Sequence, residues 1–136
     1  MYKKMIVATD VSAASDAVVG CLSHLQDFGA KECLLLQCLS FSQGASAGLA
    51  YDTEPLEGML DVQKQTLEKQ GFTVEARVVV GAPRHEVVRI AKEEDYQLIV
   101  VGTQGRGFFG ELLLGSTSHA VARQATVPVL LVPMKV

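Results

Sequence analysis

Residues 98–118 read LIVVGTQGRGFFGELLLGSTS: a short apolar run, a segment with five glycines, and a cluster of hydroxyls. Leu98 to Val101 is too brief and too uniformly apolar for an amphipathic helix and reads as a strand buried on both faces. Ser116 to Gln124 reads as the helix that follows. Glycine lets the backbone turn and approach a ligand closely, and the unpaired N–H groups and partial positive charge at a helix start favour an anion. The segment therefore suits a phosphate. A plain strand-to-helix connection needs only ~2–6 residues, and this one is longer. On composition alone a blander reading stays open, in which Gly102 and Gly105 make a turn and Ser116 caps a helix.

The same alternation extends in both directions from this stretch. Met5 to Thr9 is an apolar run behind Lys3 and Lys4 that stops at Asp10, and it predicts the first strand. Ser12 is placed to cap a helix in which Val18, Val19, Leu22 and Leu25 recur at helical spacing until Gly29. Cys33 to Leu39 predicts strand two, and Ser40 to Tyr51, rich in Ser, Gly and Ala, predicts a mobile loop. Leu56, Met59, Leu60, Val62 and Leu67 mark a second helix closed by Gly71, and Phe72 to Val80 predicts strand three. Pro83 stands at a first helical position ahead of the stripe Val87, Val88, Ile90 and Ala91. Val127 to Val132 predicts strand five. Short apolar strands alternating with helices imply an α/β fold, a doubly wound parallel sheet with helices on both faces, because each right-handed crossover lays its helix on a face.

In such a sheet ligands bind at the carboxyl ends of strands where strand order reverses. If the first strand neighbours the fourth, Asp10 faces Gly102 across that crevice. A carboxylate repels phosphates but accepts hydrogen bonds from ribose hydroxyls, which puts the sugar at Asp10 and the phosphates along Gly102 to Ser118. The alternative is that Asp10 only caps the first helix. Two motif matches fail. Gly105, Gly107 and Gly110 spell GxGxxG, but the acidic residue expected roughly 20 residues later falls in an apolar strand. The GK[ST] signature of a phosphate-binding P-loop is absent from the sequence.

The 136 residues fit one domain spanning 1–136, and the Met start and an end just past strand five fit a complete chain. Apolar residues at 49% and charged residues at 20% predict an aliphatic globular core, with Trp absent. A net charge of -3 argues against capture of nucleic acid by a basic face. No stretch reaches the ~18 apolar residues of a membrane span, and the N-terminal apolar run is too brief for a signal peptide, which predicts a cytoplasmic protein without membrane contact. Cys21, Cys33 and Cys38 lack zinc or disulfide spacing and are expected to be buried structural thiols. His24 and His85 have no carboxylate at metal-ligand spacing, and His119 reads as a partly buried helix spacer, so neither a metal site nor a catalytic residue is expected.

Together these residues resemble the ATP-binding branch of the universal stress protein family, over essentially the whole chain. The carrying motif is Gly, two residues, Gly, nine residues, then Gly followed by Ser or Thr, met by Gly102, Gly105, Gly115 and Ser116. IVATDVS at the N-terminus and LIVVGTQGRG in the middle are also similar to the family. The resemblance implies a five-stranded sheet in order 3-2-1-4-5 and a homodimer through the C-terminal strand, VPVLLV. It implies ATP, or ADP or AMP, with Mg2+ accompanying the nucleotide. By position, Ala8, Thr9 and Asp10 would meet ribose and base, and Cys38 and Val101 would flank the adenine. Gly102, Gly105, Arg106, Gly115, Ser116, Thr117 and Ser118 would line the phosphates. Gln97 and Gln104 replace an aspartate and a histidine common in the family, and Cys38 replaces a common valine.

Three functional classes follow. The first is a dimeric ATP-binding module in stress sensing, whose nucleotide orders the loops at 40–55 and 102–115 and so alters partner binding. The second is a slow ATPase, although hydrolysis needs a positioned base and charge neutralisation at the phosphate, and Arg106 and His119 are thin candidates. The third is a nucleotide-free dimerisation domain.

Overall fold

Met5, Ile6 and Val7 are wholly enclosed in the computed structural model, as a strand covered on both faces requires. The structure describes residues 2–10, 13–39, 54–102 and 116–133. The expected loop at 40–51 lies outside the described residues, as do Gly105, Arg106 and Gly115.

The five strands are β1 (Lys4–Thr9), β2 (Glu32–Leu39), β3 (Thr73–Val80), β4 (Leu98–Gly102) and β5 (Val129–Val132). They form one sheet in the order β3-β2-β1-β4-β5, every neighbouring pair parallel. The helices are α1 (Ala13–Gly20), α2 (Glu54–Lys69), α3 (Pro83–Glu93) and α4 (Ser116–Gln124). This is the doubly wound sheet expected from the alternation of strands and helices, in the order that the family resemblance implies.

Strand alternation sorts the apolar residues into two cores. Met5, Val7, Leu35 and Val100 pack against Val18 and Val19 of α1 and Leu60 and Leu67 of α2. Ile6, Leu34, Ile99 and Val101 pack against Val87 and Ile90 of α3 and Val121 of α4. Each face of the sheet thus has its own helix pair.

Four local readings change. The first helix does not continue to Gly29: α1 ends at Gly20, and a 3₁₀ turn occupies Ser23–Phe28 before Gly29 closes it at a φ of 94°. The three-residue spacing of Leu22 and Leu25 suits a 3₁₀ turn as well as an α-helix, and Gly20 is a weak helix former at the break. In α2, Met59 and Val62 are 46% and 61% exposed, so the buried stripe is Leu60, Gln63 and Leu67. Strand five starts at Val129 because Pro128 has no N–H to give a ladder; its carbonyl instead accepts from Ile99 N–H at 3.0 Å. Among the cysteines only Cys33 is buried, while Cys38 is half-buried and Cys21 exposed. No helix among the described residues is long and apolar enough to cross a membrane.

Candidate functional site

Strand order reverses between β1 and β4, since the chain runs from β1 to β2 and β3 on one side and then crosses to β4 and β5 on the other. The ladder between β1 and β4 has three rungs, Met5 with Leu98, Ile6 with Ile99 and Val7 with Val100. Both strands continue past the last of these, β1 to Thr9 and β4 to Gly102. On the other side of β1 the pairing with β2 persists to Thr9 and Gln37. Farther out, β2 and β3 stay zipped to Leu39 and Val80, and Gly81 N–H still donates to Leu39 C=O at 2.8 Å. The sheet therefore opens at its carboxyl end between β1 and β4, the switch point at which open α/β sheets bind ligands.

The residues beside this opening are largely those the sequence singled out. Ala8, Cys38 and Val101 share the face covered by α3 and α4, all three in or against the same apolar cluster. Burial pushes the Cys38 thiol up to about 12, with the Glu86 carboxylate adding to the effect, so it stands as a neutral wall. Asp10 follows β1 directly and is half-buried, and Gly102 closes β4 opposite. In a right-handed crossover the helix runs back against the strands, so α4 begins at the same carboxyl end. Thr117 is half-buried in its first turn, and Ser118 is buried one helical turn before the core residue Val121.

Thr9 is placed differently from its neighbours. Its side chain lies on the α1 and α2 face, where its hydroxyl donates to Gln63 Oε1 at 2.7 Å. His24, His85 and His119 are all exposed, the last against the expectation of partial burial. Among the described residues no group of His, Cys, Asp and Glu could hold a metal ion.

The model of the universal stress protein family matches residues 1–133. The chain belongs to the universal stress protein family. It is similar to universal stress protein MJ0577 of Methanocaldococcus jannaschii, 30% identical over 99% of this chain and 97% of that protein. It is also similar to universal stress protein YxiE of Bacillus subtilis, 31% identical over 97% of this chain and 99% of the relative. The solved structure of MJ0577 superposes with a TM-score of 0.85 at 31% identity, over 99% of this chain and 98% of that one. A universal stress protein solved in complex with cAMP is 28% identical with a TM-score of 0.75, over 98% of each chain.

One residue escaped the sequence reading. Gln63 is 2% exposed in the core stripe of α2 and links two elements beside the opening. Its signal was legible: a glutamine midway between Leu60 and Leu67, at the spacing where an apolar residue belongs.

Proposed function

We propose that this universal stress protein is an ATP-binding module that works as a homodimer in the cytoplasm and alters its partner binding with nucleotide occupancy. The observation that carries the reading is the parting of β1 and β4 beyond Val7 and Val100, with Asp10 on one lip and Gly102 on the other. The adenine lies between Ala8, Cys38 and Val101. The ribose hydroxyls donate to Asp10. The phosphates follow Gly102 into the segment of Gly105, Arg106 and Gly115 and reach the start of α4 at Ser116, Thr117 and Ser118, where helix N–H groups and hydroxyls favour an anion. The cAMP complex of a 28% identical relative supports an adenine nucleotide as the ligand class. Magnesium rides on the phosphates. The homodimer forms along β5, which ends the sheet and whose four residues are all half-buried.

The geometry favours holding a nucleotide over cleaving it. His119 is exposed, and Asp10 is assigned to the sugar rather than to the water that hydrolysis would need in line with the terminal phosphate. The test is the small-molecule content of the purified protein, released by denaturation and read by mass spectrometry. ATP or ADP near one per chain supports the proposal. Empty protein that also takes up no ATP overturns it.

A further inference from the structure

Burying an amide in an apolar helix stripe is unfavourable unless both its polar ends are paired. Gln63 meets that condition with two specific partners. Its Nε2 donates to Asp16 Oδ1 at 2.6 Å, and its Oε1 accepts from the Thr9 hydroxyl at 2.7 Å. The Asp16 carboxylate only accepts, so the amide nitrogen must face it and the amide oxygen must face Thr9, which then has to donate. The arrangement has one polarity. Gln37, in register with Thr9 and also buried, has an Oε1 without a hydrogen-bond partner among the described residues. The Thr9 proton is thus directed to the helix rather than shared along the sheet.

Thr9 is the last residue of β1, and Asp16 lies in the first turn of α1. These two residues flank the connection that begins with Asp10. A single side chain from α2 therefore ties both ends of that connection to a helix that is distant in sequence. Holding Thr9 on the α1 and α2 face also fixes the backbone at the end of β1, from which Asp10 departs.

We infer that Gln63 is a positioning residue for the ribose-binding carboxylate: by holding Thr9 and Asp16 it fixes where Asp10 stands in the crevice. This rests on the proposed binding of ribose at Asp10. It assigns α2 a part in ligand recognition that no contact with the ligand requires.

The test is calorimetric titration of the whole chain with ATP and with 2′,3′-dideoxy-ATP, which lacks the ribose hydroxyls. Hydrogen bonds to a charged acceptor give the wild type about a tenfold or greater preference for ATP. Gln63→Met and Thr9→Val, each of similar volume to the residue replaced, are expected to bring that preference close to one. Asp16→Asn keeps a neutral acceptor for the Gln63 amide and is expected to retain it. If Gln63→Met fails to fold, Thr9→Val carries the test. Retention of the wild-type preference in Gln63→Met or Thr9→Val, including equal weakening of both nucleotides, overturns the inference while leaving Asp10 as the ribose site. A wild type that binds both nucleotides equally overturns the assignment of Asp10 itself, and a wild type that binds neither overturns the nucleotide proposal.

Discussion

Val7 and Val100 form the last rung between β1 and β4, although each strand runs two residues farther, to Thr9 and Gly102. Everything proposed about function depends on that parting. The strands that separate are neighbours in the sheet but come from opposite halves of the chain, so the gap sits where two crossovers diverge.

Asp10→Ala removes the acceptor on one lip of the gap. A hydrogen bond to a charged group contributes ~1.5–3 kcal/mol, so ATP affinity is expected to fall by about tenfold to a hundredfold. The thermal midpoint without nucleotide is expected to fall as well, because Asp10 is half-buried and has an interaction of its own within the fold. Titration calorimetry and a ligand-free melt check the two parts separately.

Gly71→Ala is expected to destabilise the fold without touching the site. Gly71 ends α2 with a φ of 105°, a conformation that side chains disfavour, and an added Cβ would also press on the Gln26 amide, which donates to Gln70 C=O. The backbone penalty alone is ~1 kcal/mol, or roughly 4 °C in melting temperature for a domain of this size. Gln26→Ala in the same chain should recover the contact but not the backbone penalty, and thermal melts of the single and double variants distinguish the two.

The cysteines should differ in reactivity. Cys21 is exposed, whereas burial pushes Cys33 and Cys38 up to about 12. At neutral pH iodoacetamide is expected to modify Cys21 alone in the folded protein and all three thiols after denaturation, read by intact mass. The sign for stability follows from the same shifts. The unfolded thiols ionise near their ordinary value of ~8.5 while the folded ones keep their protons, so stability is unaffected below that pH and falls between it and about 12.

Arg77 Nη1 donates to Glu94 Oε2 at 2.7 Å, joining edge strand β3 to the end of α3. The Arg77 guanidinium holds the Glu94 carboxyl below its usual range. Its contribution is therefore present at neutral pH and is lost as pH falls through that lowered value. Both side chains are substantially exposed, so Glu94→Gln should cost less than ~1 kcal/mol at neutral pH and nothing in strong acid. Melts of the two proteins across that range give the comparison.

Much of this was legible in the sequence because buried parallel strands leave a strong mark. Met5 to Val7, Cys33 to Leu36 and Leu98 to Val101 are short runs apolar on both faces, as strands of a sheet covered twice are. Asp10 and Gly102 stood out for ending two such runs. What stayed hidden depended on three-dimensional pairing. Met59 and Val62 look like core residues by type, yet the stripe of α2 turns Gln63 inward between Leu60 and Leu67, because Thr9 and Asp16 supply its partners from elsewhere in the chain. Thr9 is a ligand residue by the family resemblance, and only its hydrogen bond to Gln63 shows its hydroxyl on the other face. The split of the first helix was equally hidden, since Leu22 and Leu25 fit both helix types.

The most direct measurement of the central claim is calorimetric titration of nucleotide-free protein with ATP and magnesium, run beside Asp10→Ala. The account predicts saturable binding near one ATP per chain, weakened at least about tenfold by the substitution. No heat and no thermal shift with ATP, or binding that Asp10→Ala leaves unchanged, would contradict it.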